Sequence, residues 1–252
     1  LKGKNEPITA FRVEETHSTL PFIERWSAHS ASEAYHNREF FVREQELLTL
    51  LGRLDKAFSG GGGLVALADM SGTDTAELVT LAVRYWQERA GKVLPGIGES
   101  HMSDTLLGLW QPVWRHHFGL RADMTARQQA NQVVAQTRRD CPACTDQVGM
   151  WGGVLDLPIA KAEAFLHITS ETNRQPFFEL VKGCLRGAAA RQPLLLVLQD
   201  IHWADQLSLD LLDDLVDHLD QTPLFILVTY HSSRRPTLKA LTRPHQTPIQ
   251  LH

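Results

Sequence analysis

The sequence predicts an α/β domain, a parallel sheet with helices on both faces and an inserted helical region. Leu64-Val65-Ala66-Leu67-Ala68, Leu194-Leu195-Leu196-Val197-Leu198 and Leu224-Phe225-Ile226-Leu227-Val228-Thr229-Tyr230 are short continuous apolar runs, the pattern of strands buried on both faces. Around them lie apolar stripes at helical spacing, Leu47, Leu50, Leu51, Leu54 and Leu207, Leu211, Leu212, Leu215, Leu219. Strands that alternate with helices run parallel, because each crossover helix returns the chain to the same end of the sheet. At 252 residues and 43% hydrophobic, the chain can bury such a core.

Taken in order, residues 1–36 are polar and, beyond the extended stretch Ile8 to Val13, without periodicity; they read as tail and linker. A unit begins near Phe40, with a helix opening at Arg43-Glu44-Gln45-Glu46 and ending in Ser59 and Gly60 to Gly63. After the 64–68 strand comes a polar turn, Asp69 to Asp74, and from Thr75 a helix with Leu78, Leu81, Ala82 and Tyr85 on one face, stopped by Gly91. The middle, 103–190, carries helical patterns broken at Pro112, Pro142, Pro158 and Pro176. There Trp110 and Trp114, at i and i+4, read as a core-facing helix face, and His116 and His117 as surface or satisfied core residues.

A net charge of −4 gives no overall pull toward nucleic acid or a membrane surface. Its apolar runs fall far short of the roughly 20 residues that cross a bilayer. The three cysteines cannot all pair, which suits a reducing cytoplasm. Cys141-Pro142-Ala143-Cys144 has the spacing of a zinc knuckle or a redox motif. Without a second ligand pair or a βαβ context it reads as plain structural cysteines. The chain opens mid-phrase on Leu1-Lys2-Gly3 and is expected to be a piece of a longer protein.

A working phosphate loop occupies the turn between a first strand and its helix and needs G-x-x-x-x-G-K-[ST]. The glycines let backbone N–H groups close round the phosphates, the lysine neutralises them and the hydroxyl holds magnesium. On that frame Ala68-Asp69-Met70-Ser71-Gly72-Thr73-Asp74-Thr75 has Ala68 and Thr73 at the glycines and Asp74 at the lysine; only Thr75 fits. At about 4 Å and an effective dielectric of 20, lysine gains roughly 4 kcal/mol against a phosphate charge and aspartate loses about as much. That swing is comparable to the whole binding energy of a micromolar ligand. The plain alternative is a tight strand-to-helix turn with no ligand.

The most specific segment is Pro193 to Asp205, an apolar strand ending in Gln199-Asp200-Ile201-His202-Trp203-Ala204-Asp205, with Ser208 and a helix beyond. It resembles the second phosphate motif of signal-transduction AAA/STAND P-loop ATPase domains: two acidic residues, a hydrophobic residue, His or Gln, then Trp, Ala and Asp. Asp200, His202, Trp203, Ala204, Asp205 and Ser208 match, and Gln199 departs. In that family the first acidic residue supports magnesium and the second polarises the attacking water. Gln199 thus removes a metal-side charge, and Asp200 remains the candidate catalytic base. The likeness covers residues 39–252. Phe40-Phe41-Val42-Arg43-Glu44-Gln45-Glu46-Leu47 is similar to the family's opening box, hydrophobic-Gly-Arg-Glu-x-Glu-Leu, with Val42 for the glycine. Leu227-Val228-Thr229-Tyr230-His231 is similar to a strand that ends in Tyr-Arg, where His231 replaces the phosphate-sensing arginine.

The resemblance implies a degenerate P-loop NTPase-like site built from Arg43, Gly72, Thr73, Asp74, Thr75, Gln199 and His231. It implies magnesium at Thr75 and Asp200, and ATP with Mg bound weakly or not at all. Leu1-Lys2-Gly3-Lys4-Asn5-Glu6-Pro7-Ile8 and Phe11-Arg12-Val13 resemble the closing strand and tail of class III adenylate/guanylate cyclase domains. That order is seen in multidomain cyclases similar to the soluble adenylyl cyclase type. The expected organisation is 1–13 cyclase tail, 14–38 linker and 39–252 ATPase-like domain, truncated before its lid. The expected role is regulatory or scaffolding, in the cytoplasm, without normal ATP hydrolysis. Partners would be the preceding cyclase domain and following lid or helical-repeat domains, with no nucleic acid and no membrane segment. The alternative is an atypical active ATPase using Thr75 and Asp200. A third reading, compatible with the first, puts Trp203 and its turn at an interface. Core packing or turn capping explains His202 and Trp203 equally well.

Overall fold

The computed structural model describes residues 44–69, 73–102, 105–219, 222–242 and 249–250, all within one compact unit, Arg38–His252. Its helices and strands, in chain order, are α1 (Glu44–Phe58), β1 (Gly63–Asp69), α2 (Thr73–Glu88), β2 (Lys92–Ile97), α3 (Gln111–His117), α4 (Ala126–Asp140), α5 (Met150–Leu155), α6 (Glu171–Ala189), β3 (Leu194–Gln199), α7 (Gln206–Val216), β4 (Leu224–His231) and β5 (Ile249–Gln250). The five strands form one sheet in the order β2-β3-β4-β1-β5, every pair parallel, with Val65 opposite Leu227 and Leu196 opposite Ile226. The three apolar runs are therefore the three central strands. Among the described residues no helix is long and apolar enough to cross a membrane.

Alternate strand residues point to opposite faces, and each face has its own cover. Leu64, Ala66, Leu94, Leu196, Leu198 and Ile226 join the core of the inserted helices. Val65, Leu67, Leu195, Phe225 and Leu227, also buried, turn the other way, toward α1 and α2. There Trp86 lies between Phe58 (ring centroids 4.2 Å apart) and Phe225 (6.5 Å). The buried face of α2 is Leu78, Val79, Ala82, Val83 and Trp86; Leu81 and Tyr85, expected there, are half-exposed. Gly60 ends α1 in the left-handed region at φ 93°, a conformation glycine adopts without steric cost.

The inserted helices close round an aromatic row: Trp114 to Trp151 at 4.4 Å, Phe118 to Trp151 at 5.3 Å and Trp151 to Phe177 at 5.7 Å. Trp110 and Trp114 are fully buried core residues, as their spacing suggests. Pro142 and Pro158 lie beyond the ends of α4 and α5, as expected, but the other two prolines act differently. Pro112 sits in the first turn of α3, where its missing N–H has no partner to lose. Pro176 lies inside α6, which runs through it without ending.

Beside this layer is a buried ionic cluster. His117 Nε2 meets Asp140 Oδ2 at 2.8 Å, with both side chains inaccessible to solvent. Arg191 closes on the other carboxylate oxygen, and Lys92 Nζ donates to the His117 carbonyl at 3.1 Å. Cys141 and Cys144 are joined as a disulfide, a bond that the reducing-compartment reading did not anticipate; Cys184 is free and buried.

Candidate functional site

The carboxyl ends of β3 and β4 and the first turn of α2 enclose a cavity of about 310 Å³, lined in part by Thr75, Gln199, Asp200, His202, Trp203 and His231. Open parallel sheets hold ligands at this end. Thr75 and Asp200 converge on it as expected, although β1 and β3 are not neighbours: β4 stands between them.

The turn after β3 is positioned by its neighbours. Asp200 has φ 52° and ψ 41°, a left-handed conformation that aspartate tolerates better than most residues. Its N–H donates to Thr229 Oγ1 on β4 at 3.0 Å, and Gly98 faces its carbonyl so closely that a Cβ there would collide. Partial burial pushes the Asp200 carboxyl above its ordinary range, more than the opposing pull of His202 and His231. The His202 ring, 7% exposed, lies 4.0 Å from that carboxylate. Its Nδ1 accepts the His231 N–H at 3.3 Å, which assigns the proton of the neutral ring to Nε2. Burial holds His202 below its ordinary range; Asp200 opposes this, and Arg234 and His231 reinforce it. His231 Nδ1 in turn accepts the Ser233 N–H at 3.3 Å.

Two other residues of the motif are structural. Asp205 caps α7 by accepting the Ser208 N–H at 3.1 Å and also takes the Leu107 N–H at 3.0 Å. Trp203 lies under the Arg234 guanidinium, 4.3 Å from its ring centroid, a cation–π contact. Of the predicted nucleotide residues, Thr75, Gln199 and His231 line the cavity. Arg43 and Gly72 lie outside the described residues, and Thr73 and Asp74 open α2 with side chains that are likewise outside them. Thr229, Tyr230 and Ala76 line the cavity unforeseen. Thr229 had a signal: a hydroxyl near the end of an otherwise apolar strand.

Residues 39–228 match the family model of the AAA ATPase domain. The chain belongs to that family. No curated protein matches it. In AAA ATPase domains this end of the sheet is the place for nucleotide and magnesium, so the donor set can be tested against them. Among the described lining residues Asp200 is the only carboxylate, Gln199 supplies a neutral amide, and there is neither lysine nor arginine. Among the described residues no group of three or more His, Cys, Asp and Glu side chains could hold a metal ion. The described groups alone offer a magnesium triphosphate one carboxylate for the metal and no fixed positive charge for the phosphates.

Proposed function

We propose that this AAA ATPase domain is a regulatory or scaffolding module of a multidomain nucleotidyl cyclase in cyclic-nucleotide signalling, working in the cytoplasm without normal ATP hydrolysis. The observation that carries the reading is the charge of the cavity at the strand ends. A phosphate entering it meets the Asp200 carboxylate and two imidazoles with no lysine or arginine among the described lining residues, and the sequence has Asp74 where the loop lysine belongs. The cyclase context rests on the resemblance of residues 1–13. It makes the preceding cyclase domain and following lid or helical-repeat domains the partners.

Calorimetric titration of the chain with Mg-ATP tests the reading. Binding tighter than high micromolar is not expected, and phosphate release stays at background. Restoring Asp74→Lys, Thr73→Gly, Ala68→Gly and Gln199→Asp together should tighten binding, since the strand and the helix on either side of the loop are in place. Thr75 and Asp200 on one cavity favour a second reading, an atypical ATPase. Low-micromolar binding with turnover that Asp200→Asn abolishes would establish that reading and end the first.

A further inference from the structure

Nothing at the strand-end cavity uses the Cys141-Pro142-Ala143-Cys144 turn, which lies between α4 and α5. Cys141 and Cys144 are bonded across a sequence separation of 3, with their Cα atoms 5.3 Å apart. Their backbone is held independently of the sulfurs. The Cys141 N–H donates to the Thr137 carbonyl at 2.8 Å as α4 ends, and the Cys144 N–H donates to the Cys141 carbonyl at 2.9 Å. Opening the sulfur–sulfur bond therefore leaves both cysteines on a hydrogen-bonded turn that keeps them within reach of each other.

The helix beside the turn is shaped for it. Gly183 and Gly187 lie one turn apart on α6. A Cβ at Gly183 would collide with both sulfurs, and one at Gly187 would collide with the Asp140 carbonyl. The reduced state has a partner as well, because Cys144 Sγ lies 4.0 Å from the Glu179 carbonyl, an acceptor for a thiol proton. Cys141 and Cys144 keep 8% and 9% of their surface, whereas Cys184 has none. Burial also pushes the Cys184 thiol up to about 12, so it remains protonated at neutral pH and does not compete in exchange.

We propose that Cys141 and Cys144 form a thiol–disulfide exchange site whose substrate class is a dithiol. In the exchange a thiolate of the dithiol attacks one of the two sulfurs. The Cys141–Cys144 bond breaks, a mixed disulfide forms, and the expelled sulfur takes up a proton. The second thiolate of the dithiol then attacks its own sulfur in the mixed disulfide and releases the other cysteine, which is protonated in turn. The protein gains two electrons and two protons, and the dithiol leaves as a cyclic disulfide. The redox state is read at the corner of α4 and α6, where the adjacent residue, Asp140, holds His117 and Arg191.

The test equilibrates the 252-residue chain, without denaturant, across a series of dithiothreitol redox buffers. Alkylation after acid quenching and unfolding then counts thiols by mass spectrometry. One thiol at the oxidising end, three at the reducing end and a two-electron transition between them are expected. The melting temperature should fall by about 5 °C on reduction, from the loop-closure entropy of so short a ring in a chain of this size. Cys184→Ser should keep the transition, counting zero and two thiols, and Cys141→Ser with Cys144→Ser should melt at the reduced temperature in every buffer. Three thiols at the oxidising end overturn the proposal, as does a single thiol that native-state dithiothreitol never changes. A melting temperature indifferent to reduction overturns it too. The count on Cys184→Ser decides the matter even if the double variant fails to fold.

Discussion

His117 shows what burial does to a titratable side chain. Its Nε2–H faces Asp140, and its Nδ1 is buried with no partner, so a second ring proton would be an unpaired buried N–H. Burial holds the imidazole below its ordinary range, outweighing the hydrogen bond to Asp140. Burial raises the Asp140 carboxyl, but the His117 hydrogen bond and the Arg191 charge outweigh that and hold it low. The unfolded chain therefore takes up a proton at His117 that the folded chain refuses. This contribution is complete above about pH 6.5, and it is lost as pH falls below that value toward the lower folded one. The Asp140 contribution is present above the ordinary carboxylate range and is lost as pH falls through its own lower value. His117→Gln keeps a neutral donor but cannot be protonated. Urea unfolding of the variant between pH 7 and 5 should show a shallower loss of stability than the parent, by at most about 1.4 kcal/mol per pH unit. Equal slopes would exclude His117 as the titrating group.

Among the elements, α7 depends structurally on Asp205, the residue just before it. Asp205 satisfies the Ser208 N–H at the start of the helix and the Leu107 N–H of a different segment. Leu107 is itself in the left-handed region at φ 58°. Asp205→Ala should lose about 1–2 kcal/mol of stability on denaturant unfolding, while Asp205→Asn, which still accepts, should recover most of it. A loss no greater than a few tenths would mean that the motif keeps this aspartate for something other than the cap. The edge strand β2 teaches a different lesson about elements. Its Lys92-Val93-Leu94-Pro95-Gly96-Ile97 does not read as a strand, because Pro95 cannot donate to a ladder and Gly96 lacks a side chain to pack. Both are tolerated because β2, among the described residues, pairs on one side only, with β3. Gly96 also admits the Leu109 carbonyl, which a Cβ would approach to 2.6 Å.

For the whole molecule, the described core begins at α1, and the two faces of the sheet are covered by helices from residue 44 onward. Residues 1–13, read as the edge of a preceding cyclase domain, should add little to the stability of the ATPase domain. Deleting them is expected to leave the melting temperature almost unchanged by calorimetry. A fall of many degrees would make the tail integral to this domain and move its boundary.

By itself the sequence determined the three central strands, the helices on either side and the acidic residues Asp69 and Asp74 of the turn after the first strand. Continuous apolar runs and residue charges are local properties that need no partner to be read. Only the tertiary structure decided the strand order, with β4 between β1 and β3, because parallel pairing joins segments far apart in the chain. It alone also assigned Asp205 to capping, linked Cys141 to Cys144, and drew His117 to Asp140, 23 residues away. Each of these depends on which polar groups the fold removes from water together, and burial, unlike hydrophobic pattern, is not written at any one position.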